Sequence, residues 1–443
     1  MKIQLSEHFT YKKLIRFTIP TIIMMIFTSI YGVVDGIFIS NCVGSDAFAS
    51  VNLIMPAIMV LGSIGFMMGT GGSALVSKTI GEGDNKKANE YFSMLIYLLM
   101  IAGLILTIIG FIFIRPVASL LGAEGDILNY AVTYGRTLLI ALIAFLLQNC
   151  FQSFLVVAEK PQMGLIISIC AGITNMILDF LFIYIFKMGV FGAALATGIS
   201  QVVGGIIPLV YFIRKNNSPL QIVKTRFDRK AILLACSNGS SEMLTNVSVS
   251  LVNMLYNMQL MKFAGANGVS AYGIIMYVGF IFSGTYLGYG VGSAPIIGYY
   301  YGAGNKEELK SLFKRSLKLL GVAAIVLTLA AEVLSKPLAS IFVSYDKELL
   351  EMTVTAIRLY AISYLISWFN IFASSFFTAL NNGPISAIIS FMRTLVFETS
   401  MIFIIPLILG LNGIWLAIVA AEILAFIVSS ALLIKNKKKY EYA

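Results

Sequence analysis

Long apolar stretches separated by short polar segments recur along the whole chain. Each is about 20 residues or longer, the length that a helix needs to cross roughly 30 Å of hydrocarbon. A helix also satisfies its own backbone hydrogen bonds in lipid. The pattern predicts twelve transmembrane helices with the approximate bounds 14–40, 48–77, 91–114, 128–157, 163–186, 189–213, 231–261, 268–301, 315–335, 349–380, 384–409 and 411–434.

The second half of the chain repeats the first at a spacing of 221 residues. Matched pairs at this spacing are Gly44 and Gly265, Gly81 and Gly302, Gly83 and Gly304, Pro116 and Pro337, and Gly192 and Gly413. Two like halves in a membrane chain often build a transporter whose site lies near their interface. We therefore predict an all-α membrane protein with two pseudo-symmetric six-helix bundles: an N-terminal lobe (1–214), a cytoplasmic linker (215–230) and a C-terminal lobe (231–443).

Composition supports lipid as the solvent of this chain. Hydrophobic residues make up 58% of the 443 residues and charged residues only 12%, which is more apolar surface than a soluble domain buries. With the N-terminus placed inside, 23 of the 31 lysines and arginines fall in cytoplasmic segments. The positive-inside rule then predicts a multi-pass protein of the cell membrane with both termini cytoplasmic. The net charge of +10 reflects this orientation, so nucleic-acid binding is not expected.

Targeting and cysteine patterns add little to this picture. The first apolar run is long enough to span and lacks a small-residue cleavage pattern, so no cleavable signal peptide is expected. The four cysteines show no metal-ligand spacing and are expected to pack as apolar side chains. They are Cys42, Cys150, Cys170 and Cys236.

Ionisable residues at membrane depth are the strongest functional candidates, because a charge there costs several kcal/mol unless it is paired, hydrated or neutralised. Asp35 lies in helix 1, and Asn175 and Asp179 share one face of helix 5. Counting about 1.5 Å per residue from the outer helix ends places Asp179 and Thr197 of helix 6 at a similar depth, with Asp35 somewhat shallower. Three helices thus deliver oxygens to one level.

Two chemistries fit this set of oxygens. Two carboxylates, an amide oxygen and a hydroxyl form a site for a hard cation such as sodium, and two adjacent carboxylates in low dielectric also tend to hold a proton. The structural alternative is that these polar residues hold helices together or face a water-filled cavity. Unpaired carboxylates serve that purpose poorly, since no lysine or arginine lies at their level in the first half.

The chain resembles the multidrug and toxin extrusion (MATE) family, within a larger superfamily that includes flippases. The likeness lies in the duplicated twelve-helix pattern, the helix 1 aspartate, the Asn-x-x-x-Asp pattern ending at Asp179, and the threonine in Gly-Ala-Ala-Leu-Ala-Thr197. It implies cation-coupled export by antiport. It also implies a sodium or proton site formed by Asp35, Asn175, Asp179 and Thr197, with no cofactor besides the coupling ion.

The two halves are not equivalent in their charges. The repeat partners of Asp35 and Asp179 are Tyr256 and Ser400, so ion binding is expected to be asymmetric. Helix 7 instead carries Glu242, which by resemblance contributes to binding of a cationic substrate or a second cation; a carboxylate hydrogen-bonded to its neighbours is the alternative.

Other polar residues in the spans are secondary candidates. Asn246, Gln148 and Gln152 are expected to face the cavity, because isolated amides prefer an interior over lipid. Arg393 and Glu398 in helix 11 form either an internal pair or parts of separate networks. Glu332 and Glu422 are expected near helix ends, where solvated carboxylates are ordinary.

The favoured function is a cation-coupled antiporter that exports amphipathic, often cationic organic compounds by alternating access. A lipid-linked precursor flippase is the first alternative, although several cationic residues would be expected in its cavity. An intramembrane enzyme is a weaker alternative, because the single histidine, His8, precedes helix 1 and no Gly-x-Gly-Asp motif is present. Expected partners are small organic substrates and the lipid bilayer; the sequence indicates neither the exported compound nor the oligomeric state.

Overall fold

A computed structural model describes residues 3–344 and 346–443, and all regular structure in these ranges is helical. In chain order the helices are α1 Tyr11–Cys42, α2 Ser45–Gly81, α3 Asn85–Leu120, α4 Gly125–Ile140, α5 Leu142–Val157, α6 Pro161–Asp179, α7 Gly189–Ile213, α8 Arg229–Gly302, α9 Lys306–Val343, α10 Lys347–Ala361, α11 Tyr364–Ala379, α12 Gly383–Ser390, α13 Thr399–Ile404 and α14 Pro406–Tyr440. Two π-helical segments, Phe180–Ile185 after α6 and Phe391–Glu398 between α12 and α13, complete the fifth span of each half.

The helices account for the twelve crossings predicted from the sequence. Within the described ranges, nine helical stretches are long and apolar enough to span a membrane. Two bent pairs, α4 with α5 at 61° and α10 with α11 at 48°, add one crossing each. Helix α8, with 74 residues, is too long for a single crossing and is interrupted at Gly265, which supplies the twelfth.

The backbone repeats as the sequence does. Gly44 and Gly265, which join the first two spans of each half, have φ angles of 123° and 60°. Gly189 and Gly410, which join the last two, have φ angles of 61° and 57°. Since side chains disfavour this region, glycine is required at these four turns.

Apolar faces at repeat-related positions point away from the protein. On α3 and α9 the exposed residues follow helical spacing and match one another at 221 residues: Ile101, Leu104, Ile105, Ile108 and Ile112, and Val322, Ile325, Val326, Leu329 and Val333. They are between 51% and 76% exposed. Such faces are stable in lipid, so the chain is a multi-pass membrane protein.

The two halves meet mainly through α1 and α2 of the first half and α8 of the second. Helices α2 and α8 approach at backbone distance where Gly71 faces Ala235 and Gly239 faces Met67: a Cβ atom at either glycine would lie 1.9 Å from the opposing carbonyl oxygen. Small residues permit such close crossings between membrane helices.

The segment before α1 binds both halves at the end of the molecule that carries the two termini. The Leu5 amide donates to Glu159 Oε1 in the α5–α6 loop at 2.9 Å. The Phe9 amide donates to Glu308 Oε1 of α9 at 3.0 Å, and the Glu308 Oε2 atom lies 2.7 Å from His8 Nδ1. Leu5 and Phe9 are buried. We call residues 3–10 the N-terminal strap.

Candidate functional site

Asp35 of α1 and Asp179 of α6 face one another inside the first half. Their carboxyl groups lie within electrostatic range of each other, and the charged forms repel. Asp179 is fully buried, with 0% exposure, and Asp35 is partly buried. Neither carboxyl has a lysine, arginine or histidine partner in the described ranges. This pair therefore has uncompensated negative charge whenever both groups are ionised.

Asn175 and Thr197 extend the pair into a cluster. The Asn175 Nδ2 atom donates to Thr197 Oγ1 at 3.5 Å, which leaves the Asn175 oxygen free to bind a further group. The buried oxygens without a hydrogen-bond partner in the described residues include Asp35 Oδ1, Asn175 Oδ1 and both carboxyl oxygens of Asp179. Buried oxygens are normally satisfied. Carboxylate and amide oxygens gathered at one level are groups that can bind a proton or a cation.

Two tyrosines in the same cluster were not predicted from the sequence. Tyr134 of α4 is buried beside Thr197 and within electrostatic range of both aspartates. Tyr31 of α1 lies near Asp35 and interacts with Gln148 of α5. The chain has 21 tyrosines and 31 phenylalanines, so an aromatic residue in a span is not by itself a sign of a functional site. The one signal in the sequence was that Tyr31 lies one helical turn before Asp35.

The local backbone of α6 is irregular at the site. Asp179 is the last residue before the π-helical segment Phe180–Ile185. Segments of this kind are rare and frequent at functional sites, because the wider turn frees backbone groups and redirects side chains.

Gln148 and Gln152 lie on α5, also within the first half. Both are buried, at 8% and 7% exposure, and their Oε1 atoms lack hydrogen-bond partners in the described structure. With Ser168 and Met24 they line a cavity of about 10 Å³. This cavity is far smaller than the roughly 300 Å³ or more of a drug-sized ligand site, so in this conformation it is too small for an organic compound of that size.

Glu242 lies apart from the aspartate cluster, where the two halves meet. It lines a cavity of about 20 Å³ with Thr70 and Ser73 of α2 and Thr378 of α11. Asn246, one turn further along α8, donates from Nδ2 to the Glu242 carbonyl at 2.8 Å. Its amide donor is therefore used within its own helix.

The second half contains a buried ion pair that was not predicted from the sequence. Arg393 binds Glu422 of α14 through Nε at 2.8 Å and Nη2 at 2.7 Å, and Glu422 is 2% exposed. Glu422 lies in the middle of α14, so the expectation of a solvated carboxylate near a helix end was wrong. Asn370 of α11 donates to the other oxygen, Glu422 Oε2, at 2.7 Å.

The other glutamates are placed differently. Glu398 lies within electrostatic range of Arg393 but is not its ion-pair partner. Of the two alternatives for Arg393 and Glu398, the internal pair is therefore not formed, and Arg393 pairs with Glu422 instead. Glu332 lies 3.8 Å from Arg358 with its side chain 37% exposed, as expected for a solvated carboxylate.

The family assignment follows from comparison with known proteins. The MatE family model matches the chain twice, over residues 20–181 and 243–404. The chain belongs to the MatE family. The two matches follow the internal repeat and confirm the likeness seen in the sequence.

Relatives of this MatE protein include two staphylococcal proteins named Multidrug export protein MepA. The one from Staphylococcus haemolyticus is 25% identical over 424 residues, which cover 95% of this chain and 93% of the relative. The one from Staphylococcus aureus strain MSSA476 is 24% identical over 417 residues, covering 94% and 92%. The family is one of membrane transporters, which excludes the intramembrane enzyme considered above.

Solved structures share the fold along nearly the whole chain. A crystal structure of MATE in complex with MaL6 superposes with a TM-score of 0.93 at 23% identity, covering 98% of both chains. An outward-facing conformation of a multidrug resistance MATE family transporter of the MOP superfamily gives 0.92 at 24% identity, with the same coverage. The predicted twelve-helix fold is confirmed.

The aspartate cluster of this MatE transporter combines two carboxyl groups with an amide and a hydroxyl. Among the described residues no three His, Cys, Asp or Glu side chains come together as a possible metal site. Two carboxylates with an amide oxygen and a hydroxyl suit sodium, and the carboxylates alone suit a proton.

Proposed function

We propose that this transporter exports amphipathic, often cationic organic compounds in exchange for a cation. The observation that carries the proposal is the pair Asp35 and Asp179, which have no cationic partner in the described ranges. A cation that neutralises them stabilises the conformation in which they are close. Antiport requires only that cation and substrate favour different conformations.

In this proposal the cation binds to Asp35, Asn175, Asp179 and Thr197. Partly buried Asp35 receives the ion and fully buried Asp179 holds it. Asn175 and Thr197 supply neutral oxygens when the ion is sodium. When it is a proton, the carboxylates suffice.

We propose that both termini lie in the cytoplasm, because the distribution of basic residues predicts this orientation. The N-terminal strap and the α2–α8 crossing then hold the halves together on the cytoplasmic side. The conformation described here is the one that takes up the external cation and has released its substrate outward.

The compound is proposed to bind between the halves after they separate at the cytoplasmic side. Glu242 and Asn246 lie on the wall that this separation exposes, and Glu242 supplies a negative charge for a cationic compound. Gln148 and Gln152 supply amides on the first-half side. The names of the staphylococcal relatives support organic drugs as the substrate class.

Dye uptake into inverted membrane vesicles tests this function and identifies the ion. The vesicle lumen corresponds to the cell exterior, so a sodium-loaded lumen and an acidic lumen are imposed in separate experiments. We expect uptake of a cationic dye with one of the two gradients and its loss when that gradient is collapsed. Uptake under neither gradient contradicts cation-coupled export.

A further inference from the structure

The second half contains a carboxylate, Glu398, that the proposed transport cycle does not use. It ends the π-helical segment Phe391–Glu398, much as Asp179 precedes one in the first half. It lies two residues before Ser400, the repeat partner of Asp179. The fifth span of each half thus carries a carboxylate at nearly the same level.

The charges around Glu398 do not balance. Arg393 is the nearby cation, and it is bound through two nitrogens to Glu422. Among the described residues, no side-chain hydrogen bond or ion pair joins the Glu398 carboxyl to another group. If both Glu398 and Glu422 are ionised, Arg393 compensates only one of them. The remaining negative charge lies inside the helix bundle, where it costs several kcal/mol.

The other titratable groups that interact with Glu398 in the described structure include three phenols and the glutamate of the ion pair. Tyr256 and Tyr272 approach it from α8 and Tyr360 from α10, while Glu422 acts on it from α14. The Tyr256 and Tyr272 rings stack with centroids 4.7 Å apart. The phenols contribute no positive charge.

One of these phenols is itself unsatisfied. The Tyr256 hydroxyl is buried, with the residue 1% exposed, and has no hydrogen-bond partner in the described ranges. Tyr272 differs, since its hydroxyl donates to Asn253 Oδ1 at 2.8 Å. Tyr256 is the repeat partner of Asp35, whose Oδ1 atom also lacks a hydrogen-bond partner. The corresponding helix position of each half therefore carries an unsatisfied polar group.

We propose that Glu398 is a proton-binding site of the C-terminal half. The proton comes from water and converts the carboxylate into a neutral carboxylic acid, which removes the excess charge. A proton is favoured over a metal cation, because the positive charge of Arg393 lies nearby. The site extends the proposed coupling to the second half, yet its test does not depend on transport.

Infrared spectroscopy of the purified full chain in lipid nanodiscs tests this site through the C=O stretch of protonated carboxylic acids. The background variant Asp35→Asn with Asp179→Asn removes the carboxyls of the first-half cluster. At neutral pH we expect a carboxylic-acid band to remain, and Glu398→Gln to remove the intensity of one carboxyl. Glu332→Gln, at a solvated glutamate, is the matched control and should leave the band unchanged.

Two further variants separate a proton site from a structural effect. Tyr256→Phe should shift the frequency of the band without removing it, because the phenol faces the acid. Glu398→Asp keeps a carboxyl and should keep the band at a shifted frequency, which tests the site even if Glu398→Gln proves unstable. A band that is absent from the background variant, that keeps its full intensity in Glu398→Gln, or that keeps its frequency in Glu398→Asp overturns the proposal. Failure of gradient-driven dye uptake would leave this result intact.

Discussion

Gly81 and Gly302, repeat partners 221 residues apart, each lie against the backbone of the other's helix. A Cβ atom at Gly81 would lie 2.0 Å from the Tyr299 carbonyl oxygen, and one at Gly302 would lie 2.0 Å from the Lys78 carbonyl oxygen. Lys78 and Tyr299 are also repeat partners. The α2–α8 contact therefore has approximate two-fold symmetry, and side chains at these glycines would force the halves apart.

Gly81→Ala and Gly302→Ala are expected to destabilise this closed contact. Overpacking of a tight contact costs about 1–3 kcal/mol, which should appear as a lower melting temperature of the purified protein. In a background without the four native cysteines, Ser77→Cys should also become more accessible to alkylation. Gly273→Ala on α8 makes the same chemical change where no atom lies within 4 Å, and it should alter neither readout.

The N-terminal strap is expected to detach when Glu308 is removed. Hydrogen bonds to charged groups contribute about 1.5–3 kcal/mol each, so amide hydrogen exchange at Phe9 should accelerate about tenfold or more in Glu308→Ala. Glu307→Ala changes the exposed neighbour and serves as the control. Unchanged exchange at Phe9 in Glu308→Ala would show that the Glu308 hydrogen bonds do not hold the strap in place.

The Arg393–Glu422 pair is expected to respond strongly to loss of one partner. Leaving a buried charge alone costs about 3–5 kcal/mol, so Arg393→Met and Glu422→Leu should each lower the midpoint of denaturant-induced unfolding. The double variant Arg393→Met with Glu422→Leu removes both charges and should recover much of that loss. Purely additive destabilisation in the double variant would argue against a direct pair.

Much of the fold could be predicted from the sequence, because a segment that crosses lipid must be helical, apolar and about 20 residues long. Stretches such as 91–114 and 315–335 needed only length and apolarity, and the structure places α3 and α9 there. The bends within single spans could not be predicted from the sequence. The bends between α4 and α5 and between α10 and α11 fall inside the predicted spans 128–157 and 349–380, and no proline or glycine at Ala141 or at Ile362 and Ser363 marks them.

The aspartate cluster was predictable because its members are rare at membrane depth. Asn175 and Asp179 also share a helix face by spacing alone. Tyr134 could not be distinguished from the many aromatic residues that pack against lipid or core. The Arg393–Glu422 pair joins residues on different helices, and no local pattern specifies which helices become neighbours.

In the proposed cycle, the bound cation neutralises Asp35 and Asp179, and this neutralisation couples cation movement to export. The most direct measurement compares gradient-driven dye uptake with dye exchange at equilibrium in vesicles that carry the original chain, Asp35→Asn or Asp179→Asn. We expect each variant to lose driven uptake while remaining membrane-inserted, with Glu332→Gln unaffected. Full gradient-driven uptake by both aspartate variants would contradict the account.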